Sequence, residues 1–333
     1  MKIGVVGAGS WGTALGKTLA DKGLSVEMWG RDAEDVRAIA AAGENARYLP
    51  GAKLPPALTV TTDLERAVSG KQIVLAVVPT HAMREVFTDA APYLAADAIV
   101  VSASKGIEQG SLETMDEVLA GVLPPAVGAR AVFLSGPSFA REVGQRLPTA
   151  VVVASRDRAA AEAAQSVFTT DRFRVYTSDD VTGVELGGAL KNVMAIAAGI
   201  ADGLGFGHNT RAALITRGLA EISRLAIRRG ANPMTLSGLA GLGDLVLTCT
   251  GDQSRNRTVG LALGQGKTLA EVLAEMKQVA EGVKTTRSAR DLGLREGVEL
   301  PITEMVYSVL YENRSAAEGV VALLSRPRRA ELD

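Results

Sequence analysis

Residues 2–15 read KIGVVGAGSWGTAL, and this stretch decides the fold. Five residues rich in β-branched side chains, Lys2–Val6, form a strand pattern. They run into Gly7-Ala8-Gly9-Ser10-Trp11-Gly12, and a helical pattern opens directly afterwards, Trp11–Asp21. In a strand–turn–helix the first glycine allows the tight turn, the second lets backbone approach a pyrophosphate, and the third lets helix and strand pack closely. The free N–H groups at the helix start then face the phosphates. The spacing predicts a dinucleotide site held by Gly7, Gly9, Ser10, Trp11 and Gly12; a purely structural turn is the weaker reading of the same motif.

Outward from that loop, strand patterns recur at Ser25–Trp29, Leu58–Thr61, Gln72–Val78, Ala98–Ala103, Ala131–Ser135, Ala150–Ala154 and Arg174–Thr177. Helical patterns fall between several of them, as at Thr80–Pro92 and Arg158–Phe168. Near-continuous apolar strands such as Ile73–Val78 belong to a sheet covered on both faces. The expected fold is α/β, a Rossmann-type, doubly wound, mostly parallel sheet followed by an all-helical domain. After Thr177 only helix-period segments follow: Val181–Ile200, Thr210–Arg229, Thr258–Leu263, Leu269–Met276, Val283–Glu296 and Ile302–Tyr311. Asn232-Pro233 reads as a stop and restart. The expected domains are 1–178 and 179–333, with Ser325–Asp333 a solvated or frayed tail.

Bulk composition narrows the function classes. The chain has 333 residues, 36 Lys+Arg against 37 Asp+Glu, one cysteine and two histidines. A net charge of −1 gives no general attraction for nucleic acid or an anionic membrane, so an anionic ligand must be caught by a few placed groups. Cys249, His81 and His208 supply neither a disulfide framework nor a metal cluster. The N-terminus enters a strand without a leader pattern, and the apolar stretch near 189–201 is interrupted by Lys191 and Asn192, so a cytoplasmic protein without a membrane span is expected.

The second strand ends Trp29-Gly30-Arg31-Asp32. A guanidinium at Arg31 suits a 2′-phosphate, Asp32 a ribose hydroxyl, and Arg31 as a plain surface charge is the third option. NADPH is the expected cofactor, with NADH also accepted. Hydride transfer to a ketone needs a proton source. His81 follows Pro79-Thr80 at a strand end and His208 lies in a glycine-rich turn; both read as structural or solvent-facing. Lys191 stands alone as a charge in Gly187–Ala195, where an ammonium needs a partner or a cleft; a lysine whose stem merely lies along the helix surface is equally compatible with that segment.

Seven ordered blocks carry a resemblance: GAGSWGTAL (7–15), SASKGIE (102–108), LSGPSFAREV (134–143), ELGGALKNVMAIAAGI (185–200), GLAGLGDLVLTCTGDQSRNR (238–257), VAEGVKTT (279–286) and ELPITEMVY (299–307). Over essentially its whole length the chain resembles the bacterial NAD(P)-dependent glycerol-3-phosphate dehydrogenase family. The resemblance implies reversible reduction of dihydroxyacetone phosphate to sn-glycerol 3-phosphate, feeding glycerophospholipid synthesis, and a possible homodimer. It places the proton donor/acceptor at Lys191, with Lys105 facing both cofactor and substrate and Asp244 beside the reacting centre. Gly136, Ser138, Ser254, Arg255 and Asn256 would take the substrate. Arg255 would also touch the cofactor, together with Ala140, Val279, Glu281, Ser10, Trp11 and Arg31.

The residues themselves agree. Ser254-Arg255-Asn256 opens a helix after the Gly251-Asp252 turn, so N–H groups and a guanidinium converge as in a phosphate receptor, although any helix start with a capping serine looks alike. Asp244 and Thr248, four apart, share a helix face, and Asp244 has a second reading as a cap. Taken alone, Lys105 is a strand-end surface lysine. A 3-hydroxyacid or ketopantoate-type reductase would carry Asn four residues after the lysine, where this chain has Ala195. A non-catalytic dinucleotide sensor on the same fold would have no use for Lys105, Lys191, Asp244 and 254–256 together.

Overall fold

The computed structural model describes residues 1–276, 280–327 and 330–331. Eight strands form one sheet: β1 (Lys2–Val6), β2 (Ser25–Trp29), β3 (Leu58–Thr61), β4 (Ile73–Ala76), β5 (Ile99–Ser102), β6 (Val132–Ser135), β7 (Thr149–Ala154) and β8 (Phe173–Ser178). Their order is β3-β2-β1-β4-β5-β6-β7-β8. Every neighbouring pair is parallel except β6–β7, where Leu134 faces Val153 in an antiparallel register. Helices α1 (Ser10–Asp21), α2 (Ala33–Ala42), α3 (Leu64–Val68), α4 (Thr80–Ala90), α5 (Met115–Val122), α6 (Pro125–Gly128), α7 (Ala140–Gly144) and α8 (Arg158–Phe168) cover the two faces. Two apolar layers result, one around Leu15, Leu19 and Phe168 and the other around Met83, Phe87 and Leu119. The strand order reverses between β1 and β4, which opens a crevice at their carboxyl ends, where ligands of such sheets bind.

Helices make up the remainder: α9 (Val181–Gly203), α10 (His208–Arg228), α11 (Pro233–Leu236), α12 (Asp244–Thr250), α13 (Arg255–Gly264), α14 (Leu269–Glu275), α15 (Glu281–Glu296), α16 (Pro301–Tyr311) and α17 (Ala316–Leu324). They wrap α9, which is apolar on every side and accordingly buried. This revises the expectation about membrane-length segments. At 23 residues and mean hydropathy 1.3, α9 is long and apolar enough to span a bilayer, and its apolar window is 94% buried inside the fold. In the tail, residues 325–327, 330 and 331 are exposed, in line with the solvated reading; Arg326 pairs with Glu299 at 2.8 Å and the Glu331 carbonyl accepts from Arg217 at 2.7 Å across the surface.

Charged side chains join the sheet-bearing and helical regions. The Asp116 N–H in the first turn of α5 donates to Glu185 Oε2 on α9 at 3.0 Å, and Arg156 holds Asp116 at 2.6 Å. Burial drives the Glu185 carboxyl well above the ordinary carboxylate range, and the neighbouring Asp116 charge adds to this. Burial also pushes Asp116 up, but hydrogen bonds with Glu185, Thr114 and Arg156 outweigh it and hold Asp116 below its usual value. Of these two neighbouring carboxyls, burial thus favours the neutral form of Glu185, while its partners favour the charged form of Asp116.

Candidate active site

A cleft of about 870 Å³ runs from the glycine turn across to α9, α12 and α13. At its sheet side Gly7 has φ +126°, and a side chain there would press on the Val77 carbonyl at 2.5 Å. A Cβ on Gly12 would run into the Gly7 carbonyl, so α1 and β1 pack against each other there. A Cβ on Gly9 would meet no protein atom within 4 Å. The space over Gly9 lies in front of the N-terminus of α1, which has no side-chain cap and no acidic residue in its first turn. An uncapped helix start facing an open concavity is an anion receptor, so these residues fit a dinucleotide pyrophosphate. Ser10 and Trp11 line the cleft beside it.

Arg31 and Asp32 line the far end of the cleft. Asp32 Oδ1 accepts from the Glu34 and Asp35 N–H groups at 2.8 and 3.0 Å, which makes Asp32 the N-cap of α2 and holds its carboxyl below the usual range. Arg47 and Tyr48 join them, with the Arg47 guanidinium 5.2 Å from the Tyr48 ring centroid and 2.9 Å from Asp35. Their loop is pinned to the glycine turn by buried Asn45, whose Nδ2 donates to the Ala8 carbonyl at 2.9 Å and to Thr13 Oγ1 at 2.8 Å. In the sequence, Arg47, Tyr48 and Asn45 carry little local signal beyond an Arg-Tyr pair before a Pro-Gly turn. From the sequence, His81 is expected to be structural or solvent-facing. It is exposed on the first turn of α4 and forms cleft wall, with its pKa lowered by burial and by nearby Lys284 and Arg31.

On the helical side the three residues expected to do chemistry meet. Lys191 is 7% exposed and donates to Thr248 Oγ1 at 2.8 Å and to Asp244 Oδ1 at 3.0 Å. Lys105 donates to Asp244 Oδ2 at 2.6 Å and to the Gly136 carbonyl at 3.2 Å. One buried carboxylate therefore bridges two ammonium groups, one from the loop after β5 and one from α9. Thr248 Oγ1 donates to the Asp244 carbonyl at 2.6 Å, one turn back on α12, and so presents its lone pairs to Lys191. Burial lowers the Lys105 pKa; Asp244 opposes that and Lys191 reinforces it.

Around this centre, Ser138, Ala140, Ser254, Arg255, Asn256 and Glu281 all line the cleft. Gly136 lies behind it with φ +126°, its carbonyl accepting from Lys105 and from Ser138 Oγ at 3.0 Å. Ser254 is the N-cap of α13, its Oγ accepting from the Arg257 N–H at 3.2 Å, so its hydroxyl oxygen serves the helix as well as facing the cleft. Asn256 Nδ2 donates to Asn192 Oδ1 at 2.9 Å, and the Gly282 N–H donates to Asn256 Oδ1 at 2.9 Å. Burial raises the Glu281 pKa, against Arg255 and the Thr80 backbone N–H, which links α15 to the start of α4. Val279 lies outside the described residues.

Two family models cover most of the chain: the N-terminal region of NAD-dependent glycerol-3-phosphate dehydrogenase matches residues 2–161 and its C-terminal region matches 180–321. The chain belongs to the NAD-dependent glycerol-3-phosphate dehydrogenase family. Within the family it is 59% identical over 330 residues to a glycerol-3-phosphate dehydrogenase (NAD(P)+) of Geobacter sulfurreducens, covering 99% of this chain and 98% of that one. It is 54% identical to that of Anaeromyxobacter dehalogenans over 332 residues, 100% of both. The crystal structure of glycerol-3-phosphate dehydrogenase from Coxiella burnetii superposes with a TM-score of 0.93 at 43% identity, covering 98% of this chain and 99% of that one. A ketopantoate reductase from Ralstonia eutropha has a TM-score of 0.62 at 17% identity over 96% of this chain and 100% of that one, a likeness of fold alone.

Proposed function

We propose that this chain reduces dihydroxyacetone phosphate reversibly to sn-glycerol 3-phosphate, with NADPH as preferred reductant and NADH accepted. One observation carries the reading: the Lys191 ammonium, otherwise surrounded by apolar helix, is turned into the cleft and held there by Thr248 and Asp244. The dinucleotide supplies the hydride. Lys191 has three N–H donors and uses two, which leaves one for the substrate C2 oxygen. As that oxygen becomes an alkoxide, Lys191 Nζ gives it a proton; in the oxidative direction the neutral amine takes the hydroxyl proton. Asp244 holds both lysines in place and balances their charge, and Lys105 aims a second ammonium at substrate and cofactor. Arg255 with the N-terminus of α13 receives the substrate phosphate, flanked by Ser254 and Asn256. Gly136 sets the Lys105 position through its carbonyl, and Ser138 faces the substrate. Ala140 and Glu281 close over the dinucleotide.

Arg31 supports the NADPH preference. Asp32, the residue that would favour a ribose hydroxyl, spends Oδ1 on capping α2, and the guanidinium stands at the cleft end. The same reading divides the chain into 1–178 and 179–333, sets the enzyme in the cytoplasm with its product entering glycerophospholipid synthesis, and pairs it with a second copy; light scattering on the purified protein tests the last point. For the chemistry the test is Lys191→Ala. NADPH binding by fluorescence titration should stay as in the wild type, while turnover falls roughly 10²–10⁴-fold or more. Near-normal turnover would remove Lys191 from the mechanism. Oxidation of NADPH with carboxylate ketones in place of dihydroxyacetone phosphate would favour the 3-hydroxyacid class.

A further inference from the structure

The strip where α9 meets α13 has a regular register. Asn192 bonds Asn256, 64 positions later. A Cβ built on Gly260 would run into the Ile196 carbonyl, and one on Gly264 into the Ile200 carbonyl, pairs with the same offset. In the return direction, Cβ atoms on Gly199 and Gly203 would meet the carbonyls of Arg257 and Leu261. Contacts that advance together along both chains mean that the helices run parallel and in step. Four glycines, 199 and 203 on one helix and 260 and 264 on the other, bring backbone against backbone. Lys191 and Arg255 share the same 64-position offset and are the chain neighbours of Asn192 and Asn256, one residue before each.

We infer that this glycine-spaced helix pair is a ruler for substrate length: its separation fixes the gap between the group serving the carbonyl oxygen, Lys191, and the group receiving the phosphate, Arg255. The inference rests on the proposed function and deepens it by naming what selects a three-carbon ketose phosphate. Helices packed through ordinary side chains stand 8–10 Å apart. A single methyl at Gly260 has no room without separating the backbones, and that separation reaches Lys191 and Arg255 because each adjoins an asparagine of the pair that joins the two helices one turn away. Asn192 and Asn256 lock the helices at the end nearest the reaction, so the gap is held at both ends.

Initial rates with dihydroxyacetone phosphate and with its homologue one methylene longer, 4-hydroxy-3-oxobutyl phosphate, test this. Wild-type protein should prefer the shorter ketone about 10–200-fold in kcat/KM, the range one methylene commands in a fitted site. Gly260→Ala and Gly264→Ala should narrow that ratio at least about 10-fold, through the kcat/KM of the shorter substrate. Gly218→Ala, which presses on the flexible Met194 side chain from the α10 side, should leave the ratio at its wild-type value. Equal losses for both substrates in the folded α13 variants would make the glycines merely structural and overturn the ruler. If neither α13 variant folds, wild-type protein still decides, since equal kcat/KM for the two ketones refutes it. Failure of wild-type protein to reduce dihydroxyacetone phosphate at all would instead refute the function.

Discussion

At the glycine turn on the sheet side of the cleft, what faces a ligand is backbone: the uncapped start of α1 and the open space over Gly9. On the helical side it is buried charge, two ammonium groups sharing the Asp244 carboxylate. A backbone receptor needs no desolvated ions and is shaped by the absence of side chains. A charged one must be fully paired before a ligand arrives, because an unpaired buried ion is expensive. Stability and binding should therefore come apart on the sheet side and fall together on the helical side.

The largest effect is expected from Asp244→Asn. Removing the shared counter-charge of Lys105 and Lys191 breaks a buried ion network, about 3–5 kcal/mol. Calorimetry should show the melting temperature down by several degrees, at roughly 2–4 °C per kcal/mol, and steady-state assays a large loss of turnover. An unchanged melting temperature would erase the contrast. Gly9→Ala is the sheet-side counterpart. Its methyl meets no protein atom, so the melting temperature should hold, while NADPH affinity falls about 10–100-fold, some 1.4–2.8 kcal/mol. Loss of stability together with affinity there would mean that the loop is spaced for folding, not for phosphate.

Arg31→Ala sharpens the sheet side further. The KM for NADPH should rise about 10-fold while that for NADH barely moves, since only the former carries the 2′-phosphate. Equal changes would make Arg31 a general surface charge. The smallest effect concerns the Glu185–Asp116 pair that joins the two regions. The folded-state pKa of Glu185 lies above its unfolded value, so its contribution to stability is present below about pH 4 and is lost as pH rises through the elevated value. Glu185→Gln keeps an acceptor for the Asp116 N–H and titrates nothing. Melting temperatures measured across pH should lose that decline in the variant, and parallel curves would show that the Glu185 pKa is not raised in the folded protein.

Strands and the glycine loop were legible because their signals are local: alternation of apolar runs with helical periods, and glycines at fixed spacing. Each expected strand is present, with ends shifted by a few residues at most. α2 and α17 were missed despite local signals. Asp32 with Gly43 at φ 59° brackets α2, and Ser315 with Glu318 forms a capping box for α17. Asp32 has a competing reading as a ribose ligand, and the segment between Tyr311 and the tail at Ser325 carries too short an apolar period to stand out. In the site, Lys191 was legible as a lone charge in an apolar helix, but its partners Thr248 and Asp244 lie more than fifty positions away. Lys105 carried no local mark at all. His81, Arg47 and Tyr48 reach the cleft only through the fold of the loops around it, and no periodicity records such convergence. The Asn192–Asn256 bond likewise joins two residues that look ordinary apart.

Because α9 draws most of its burial from segments that follow it, much of its apolar surface is complete before its cover exists. At synthesis rates of about 5–20 residues per second, α13 leaves the ribosome several seconds after α9. Through that interval a bilayer-length greasy rod must be sheltered by the finished sheet or by a chaperone. Refolding from denaturant, where nothing imposes that order, should be most prone to aggregation before the last helices dock.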